Sequence, residues 1–281
     1  MVECVEEIHY GIVLVNARCV ILSIVNQKGG VGKTTTAVNL GAALARGGYP
    51  TLLVDLDPQG NATSGVGVPE DHRVPSVYEM LRGERSATEV LRPTNQERYS
   101  ILPATSDLAG ATVELLETEA REFHLRAALA QLREHFAYIL VDAPPSLGVL
   151  TMNALVAADH VLIPVQSEYY ALEGLGQLLH TIALVRDRLH LELDLLGAVL
   201  TMFDRRIKVA HEVVKEVREH FPGHVFNTVI PRSVRLAEAP SYGRTIFEYD
   251  ARSPGARAYE EFAEEVHARV AASTREPVRE P

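Results

Sequence analysis

VILSIVNQKGGVGKTTTAVNLGAALARGGYPTLLVDLD, residues 20–57, is the stretch from which the rest of the chain can be read. Its first seven residues form a short β-branched run closed by Gly29 and Gly30, the pattern of a strand buried on both faces. From Thr34 to Arg46 the small and apolar residues Ala37, Leu40, Ala43 and Leu44 recur at helical spacing, and Gly47-Gly48 supplies a stop. Thr51 to Asp55 is a second buried strand. Strand, glycine loop, helix and strand in sequence make a βαβ unit.

The same alternation continues. Helical patterns cover Asp107 to Phe136, Ala171 to Leu189, Val209 to His220 and Gly255 to Ala272. Between them lie apolar strands at Tyr138 to Asp142, Val161 to Val165 and Leu195 to Met202. The expected fold class is α/β, a mostly parallel twisted sheet with helices on both faces. No Pro/Gly/Ser linker divides it, so residues 19–273 are read as one domain, followed by a polar tail at 274–281. Gln59 to Pro75, rich in Gly, Asn, Thr and Pro, reads as a loop long enough to be functional. Residues 1–18 have no place in the alternation. They are read as a poorly ordered extension, with an edge strand at Gly11 to Val15 as the alternative.

Composition narrows the function classes. The chain has 281 residues, 47% of them apolar and 23% charged, as ordinary globular proteins do. Its two cysteines, Cys4 and Cys19, precede the first strand and form no C-x-x-C pair, which argues against a disulfide scaffold, a zinc site or a Cys-held cluster. No apolar run approaches the ~20 residues that span a bilayer. The N-terminus carries Glu3, Glu6 and Glu7 where a signal peptide carries Lys or Arg, so a cytoplasmic location is expected. A net charge of −10 excludes a uniformly basic nucleic-acid binder but leaves room for a local basic face.

The chemistry begins at Lys28-Gly29-Gly30-Val31-Gly32-Lys33-Thr34-Thr35, between the first strand and the first helix. Glycines let successive N–H groups converge on phosphate oxygens, and the helix N-terminus adds its dipole. Lys33 is placed for the β/γ-phosphates, the Thr34 hydroxyl for Mg²⁺, and Thr35 for the α-phosphate. The loop departs from the general G-x-x-x-x-G-K-[ST] form, with Gln27 at the first glycine position and an extra lysine at Lys28. Because Lys33 already serves the phosphates from within the chain, Lys28 suits a role in trans, reaching a partner's nucleotide as an arginine finger does. Taken alone, it also fits a solvated surface lysine.

Two carboxylate-bearing strand ends belong with the loop. Asp142, followed by Ala143-Pro144-Pro145, is suited to the outer shell of the Mg²⁺. Asp55 and Asp57 lie on one side of an extended chain at the sheet edge where nucleotides bind. There Asp57 can orient an attacking water, while Asp55 can cap the loop or hold the metal's water shell.

Taken in order, NQKGGVGKTTTAVNLGAALA, VDLDPQGNAT, YILVDAPPSLG, TMFDRR and IPRSVRLAEAPSYGRTIFEYD span residues 26–250. Together they resemble the deviant-Walker P-loop ATPases, and among them the ParA/Soj chromosome-partition family. The resemblance implies a monomer that binds Mg²⁺ and ATP, closes into a sandwich homodimer, and then binds double-stranded DNA without sequence preference. It also implies slow ATP hydrolysis, stimulated by a ParB/Spo0J-like centromere-binding partner, and residence on the nucleoid. Residue by residue, Lys28 resembles the signature lysine, Gly29 the glycine packed against the dimer partner, and Lys33 the ATP-binding lysine. Asp57 resembles the hydrolytic carboxylate and Asp142 the second acidic motif. Pro231 and Arg232 match the segment that approaches the adenine, although Ser233 stands where the family often has Asn.

From Asp204 to Arg235 seven Lys/Arg face four Asp/Glu, a basic segment in an acidic chain. That contrast suits phosphate-backbone binding without sequence readout. The resemblance adds that Arg206 and Arg235 match the family's DNA-contacting arginines. Two relatives are disfavoured. A MinD-like membrane ATPase would carry a basic amphipathic C-terminal helix, whereas this one carries Glu260, Glu261, Glu264 and Glu265, so no stable membrane association is expected. A cluster-carrying relative would need paired cysteines after Asp142, and there are none. A non-hydrolysing scaffold is disfavoured by Lys33, Thr34, Asp57 and Asp142 together.

Overall fold

The run at 20–24 becomes a central strand because both its neighbours bury it. In the computed structural model, which describes residues 19–168 and 174–273, β1 (Val20–Ile24) pairs in parallel with β5 (Tyr138–Asp142) on one side and β6 (His160–Gln166) on the other. Outward from β5 lie β2 (Thr51–Asp55), β4 (Tyr99–Leu102) and the two-residue β3 (Arg92–Pro93); outward from β6 lie β7 (Asp194–Phe203) and β8 (Val225–Pro231). The order among the described residues is β3-β4-β2-β5-β1-β6-β7-β8, parallel except for the β3–β4 pair.

Helices cover both faces, as expected for an α/β sheet. They are α1 (Lys33–Arg46), α2 (Asn61–Gly65), α3 (Val77–Leu81), α4 (Ala87–Val90), α5 (Leu108–Glu114) and α6 (His124–Leu129) in the first half. The second half adds α7 (Val149–Ala157), α8 (Leu175–Leu189), α9 (Lys208–His220), α10 (Val234–Glu238), α11 (Ile246–Asp250) and α12 (Pro254–Ser273). The alternate residues of each strand feed two cores. Leu22, Ile24, Leu53 and Leu140 meet Leu40 of α1 and Phe262 of α12, while Ile21, Val54, Ile139 and Val141 meet the helices of the other face. This period-2 division is what a strand buried on both sides must show.

Three expectations change. The helical pattern at 107–136 is broken into α5 and α6, separated by a turn containing Ala120 in the left-handed region. Asn153, reaching over from α7, stabilises the break: its Oδ1 accepts from Leu125 N at 3.0 Å and its Nδ2 donates to Arg121 O at 2.8 Å. Second, the loop at 59–75 contains α2 and a 3-10 turn at Glu70–His72. Third, β8 and α7 join the α/β alternation at segments where the apolar pattern alone did not mark them. The helix expected from Ala171 is described from Leu175, its first residues lying outside the described set, as do residues 1–18 with the edge strand considered there, and the tail at 274–281.

Candidate active site

Ile24, Asp55 and Asp142 lie level with one another at the C-terminal ends of β1, β2 and β5. Everything that the glycine loop needs is gathered at this edge. Gly30 (φ +72°) and Gly32 (φ +86°) take left-handed conformations, open to glycine without strain, and Gly32 caps α1. Val31 is buried, and its carbonyl accepts from the Thr201 hydroxyl at 2.8 Å, which pins the loop to the end of β7. Gly29, Gly30 and Lys28 are exposed, and no atom would contact a Cβ on either glycine.

Lys33 is buried, and its Nζ donates to the Lys28 carbonyl at 3.3 Å, so the lysine folds back over the loop. Burial lowers its pKa, opposed by the nearby Asp142 and Asp57 carboxylates. Thr34 and Thr35, which follow it in the first turn of α1, are half-buried.

The acids divide the work. Asp55 is fully buried, and its Oδ2 accepts from Thr63 N at 2.8 Å and the Thr63 hydroxyl at 2.7 Å, while Oδ1 accepts from Asp57 N at 3.2 Å. Those bonds create α2 and hold the chain after Asp57 in place; of the two roles open to Asp55, capping is the one its contacts serve. Burial pushes its pKa up to about 6, against the pull of the Thr63 bonds. Asp57 is half-buried and accepts from Gln59 N at 3.0 Å through Oδ1.

Asp142 is different. It is fully buried, and neither carboxylate oxygen has a hydrogen-bond partner of ordinary geometry among the described residues. Burial and the adjacent Asp55 carboxylate raise its pKa well above the usual range, with the Thr34 hydroxyl and Lys33 pulling it back. A buried carboxylate left without donors costs free energy unless something else supplies positive charge or protons. A divalent cation shared with Thr34 is a group of the right chemistry, so the donor set fits Mg²⁺.

Beside the loop opens a slot of about 180 Å³ lined by Gly32, Thr35, Thr201, Met202, Pro231, Arg232, Leu236 and Tyr259. Its walls are mainly apolar, its place is next to the phosphate loop, and its size suits a planar base. Pro231 and Arg232, the residues expected near the adenine, are among its lining. Thr201, Met202 and Tyr259 escaped sequence reasoning, although TMFDRR carried the signal for the first two. A larger cavity, about 740 Å³, opens at the opposite end of the sheet, where Arg133 and Asp159 are already paired at 3.1 Å.

A family model described as an AAA domain matches residues 19–195. The chain is 54% identical over 239 residues to the chromosome partitioning protein ParA of Myxococcus xanthus, covering 85% of this chain and 84% of that one. It is 51% identical over 248 residues to the sporulation initiation inhibitor protein Soj of Bacillus subtilis, covering 88% and 98%. The chain belongs to the ParA/Soj family of chromosome-partitioning ATPases. A solved structure described as cobyrinic acid a,c-diamide synthase from Mycobacterium smegmatis, with bound ADP and magnesium, superposes with a TM-score of 0.81 at 39% identity, over 94% of this chain and all of that one.

On this ParA/Soj chain, Arg206 and Arg235 are exposed, and both are paired with acids. The Arg206 guanidinium donates to both Asp204 oxygens, at 2.9 and 2.7 Å. Arg235 meets Glu238 at 3.2 Å and Asp250 at 3.6 Å and lies over the Tyr249 ring. Arg232 meets Glu168 at 2.9 Å. Among the described residues, no helix is long and apolar enough to cross a membrane.

Proposed function

We propose that this partitioning ATPase works as an ATP-gated DNA-binding switch. Lys33 and the backbone of Gly29, Gly30, Val31 and Gly32 hold the phosphates of ATP, Thr35 adds a bond near the α-phosphate, and the slot at Pro231 and Arg232 takes the adenine. Thr34 holds Mg²⁺ directly, with Asp142 in the outer shell and Asp55 behind it capping the segment that follows Asp57. Bound there, Mg²⁺ supplies positive charge beside the phosphates and the otherwise uncompensated Asp142. Asp57 orients the attacking water and accepts its proton, in a position fixed from below by Asp55.

Lys28 and Gly29 are exposed on the open side of the loop, where they suit contact with a second copy of the chain. ATP-bound monomers close into a homodimer in which each Lys28 reaches the partner's nucleotide. The closed dimer offers two copies of Arg206 and Arg235 to duplex DNA, with affinity supplied by phosphate contacts and raised by bivalency. A ParB/Spo0J-like centromere-binding protein stimulates hydrolysis, and the dimer leaves the nucleoid.

The observation that carries this reading is the burial of Lys33, at the start of α1, together with Asp142, at the end of β5. Among the described residues neither has a charged partner of hydrogen-bonding geometry, and both suit the chemistry that Mg²⁺-nucleotide would bring. The test is binding of random-sequence duplex DNA, titrated with salt, in ATP, in ADP and without nucleotide. Binding that requires ATP and falls steeply with salt is expected. Equal binding in all three states would remove the switch, and no binding in any would remove the DNA function.

A further inference from the structure

The connection that leaves β7 links the base slot to the DNA arginine within a few residues. Thr201 is bonded to the phosphate loop, and Met202, held in the left-handed region at φ +53°, lines the slot. The Phe203 carbonyl accepts from Arg232 N at 2.9 Å. Asp204 follows, its side chain only 13% exposed, whereas the Arg206 side chain it grips is 83% exposed. The grip is two-pronged through the guanidinium, and Arg206 N also donates to Asp204 Oδ1, at 3.0 Å.

Two parallel N–H···O bonds to one guanidinium are the geometry in which arginine also binds phosphate. Asp204 therefore occupies the Nε/Nη2 edge, one of the two edges through which the guanidinium could take a DNA phosphate bidentately, and sets a negative charge against the other. With only one residue between them, and with the backbone bond fixing the turn, little side-chain entropy is lost in keeping the pair closed. Arg232, on the neighbouring strand end, acts electrostatically on the same carboxylate. A shift of Thr201 to Phe203 on filling the slot would move the carboxylate relative to the fork.

We propose that Asp204 is a positioning residue that competes with DNA phosphate for Arg206, holding down the DNA affinity of the nucleotide-free protein until the base slot is filled. It rests on the reading of Arg206 as a DNA contact. An internal carboxylate of this kind raises the threshold for binding without removing the arginine, and it places that threshold next to the nucleotide.

The experiment compares wild type, Asp204→Asn, Arg206→Ala, the double variant and Glu212→Gln in DNA titrations with and without ATP. Glu212 is an exposed carboxylate on α9 and controls for loss of negative charge as such. Asp204→Asn is expected to tighten nucleotide-free binding roughly two- to fivefold per protomer, the range of an exposed ion pair. Its salt slope should steepen by about 0.9 for each arginine released. The gain with ATP should be smaller, so that the ratio between the two states narrows, and it should vanish when Arg206 is Ala. Asp204→Ala gives a second removal of the carboxylate should the amide disturb the turn.

If Arg206→Ala weakens binding but neither Asp204 variant exceeds Glu212→Gln, the competition is wrong and the DNA reading stands. A gain that persists in the double variant also overturns it. If Arg206→Ala binds as wild type in every state, the DNA contact and the competition fall together.

Discussion

The nucleotide edge and the arginine surface are built by opposite rules. At the edge, charges are buried and left open: among the described residues Asp142 has neither oxygen bonded, and Lys33 reaches only a backbone carbonyl. At the surface, charges are exposed and closed off, each of Arg206, Arg232 and Arg235 having a carboxylate within 3.2 Å. Buried open charges hold free energy that a ligand of opposite charge releases, because the low dielectric magnifies every interaction there. Exposed closed pairs contribute little stability and can be exchanged for another anion at small cost. The first arrangement suits tight, specific binding of a small ligand; the second suits weak, reversible binding to a polyanion.

The sharpest test of that contrast is Asp57→Ala. Loss of a positioned base is expected to lower hydrolysis by about 10² to 10⁴ while ATP binding and dimerisation persist, read by turnover beside fluorescent-nucleotide binding and sedimentation. A variant that no longer dimerises would give Asp57 a structural role and blur the division.

The pH dependence of stability probes the buried side. The folded pKa values of Asp55 and Asp142 lie above their unfolded values, Asp55 at about 6. Such carboxyls take up protons on folding, so they oppose stability increasingly as pH rises above the unfolded pKa, and the burden is lifted in acid. Asp142→Asn removes one of them. Its melting free energy relative to wild type, without nucleotide, is expected to become steadily more favourable from pH 5 to pH 8. The variant should also lose most of the thermal stabilisation that Mg²⁺-ATP confers. A difference flat across that interval would mean that Asp142 is compensated within the protein.

A smaller effect is expected on the exposed side. Arg235→Ala should weaken ATP-dependent DNA binding about three- to tenfold and flatten the salt slope by about 0.9 per protomer, leaving melting nearly unchanged. Unchanged affinity and slope would remove Arg235 from the DNA contact.

How far the chain could be read before folding follows the same division. The phosphate loop was visible because covalent spacing alone assembles it: a strand, a tight glycine turn and a helix start leave Lys33 and Thr34 one possible neighbourhood. The acidic strand ends were visible as apolar strands closing on Asp, but Asp142 reaches the loop only through the pairing of β5 with β1. The helix break at Thr118 to Phe123 was not visible, since Asn153, from a different helix, stabilises it. Nor was the approach of Gly67 to Gly243, where a Cβ on Gly67 would come within 2.6 Å of the Gly243 carbonyl. That contact sets the segment after Asp57 against the segment after Arg235, residues far apart in sequence.

From the amino-acid order alone came the α/β alternation, the phosphate loop, the acidic pair Asp55 and Asp57, and Asp142, because each depends on periodicity or on neighbours a few residues away. Tertiary structure decided that Asp55 spends one oxygen on Thr63 and the other on Asp57 N, that Asp142 spends neither among the described residues, that Thr201, Met202 and Tyr259 line the slot beside the loop, and that Arg206, Arg232 and Arg235 are paired. Those outcomes depend on which side chains meet across strands and helices, and only a finished sheet sets the distances and dielectric that decide them.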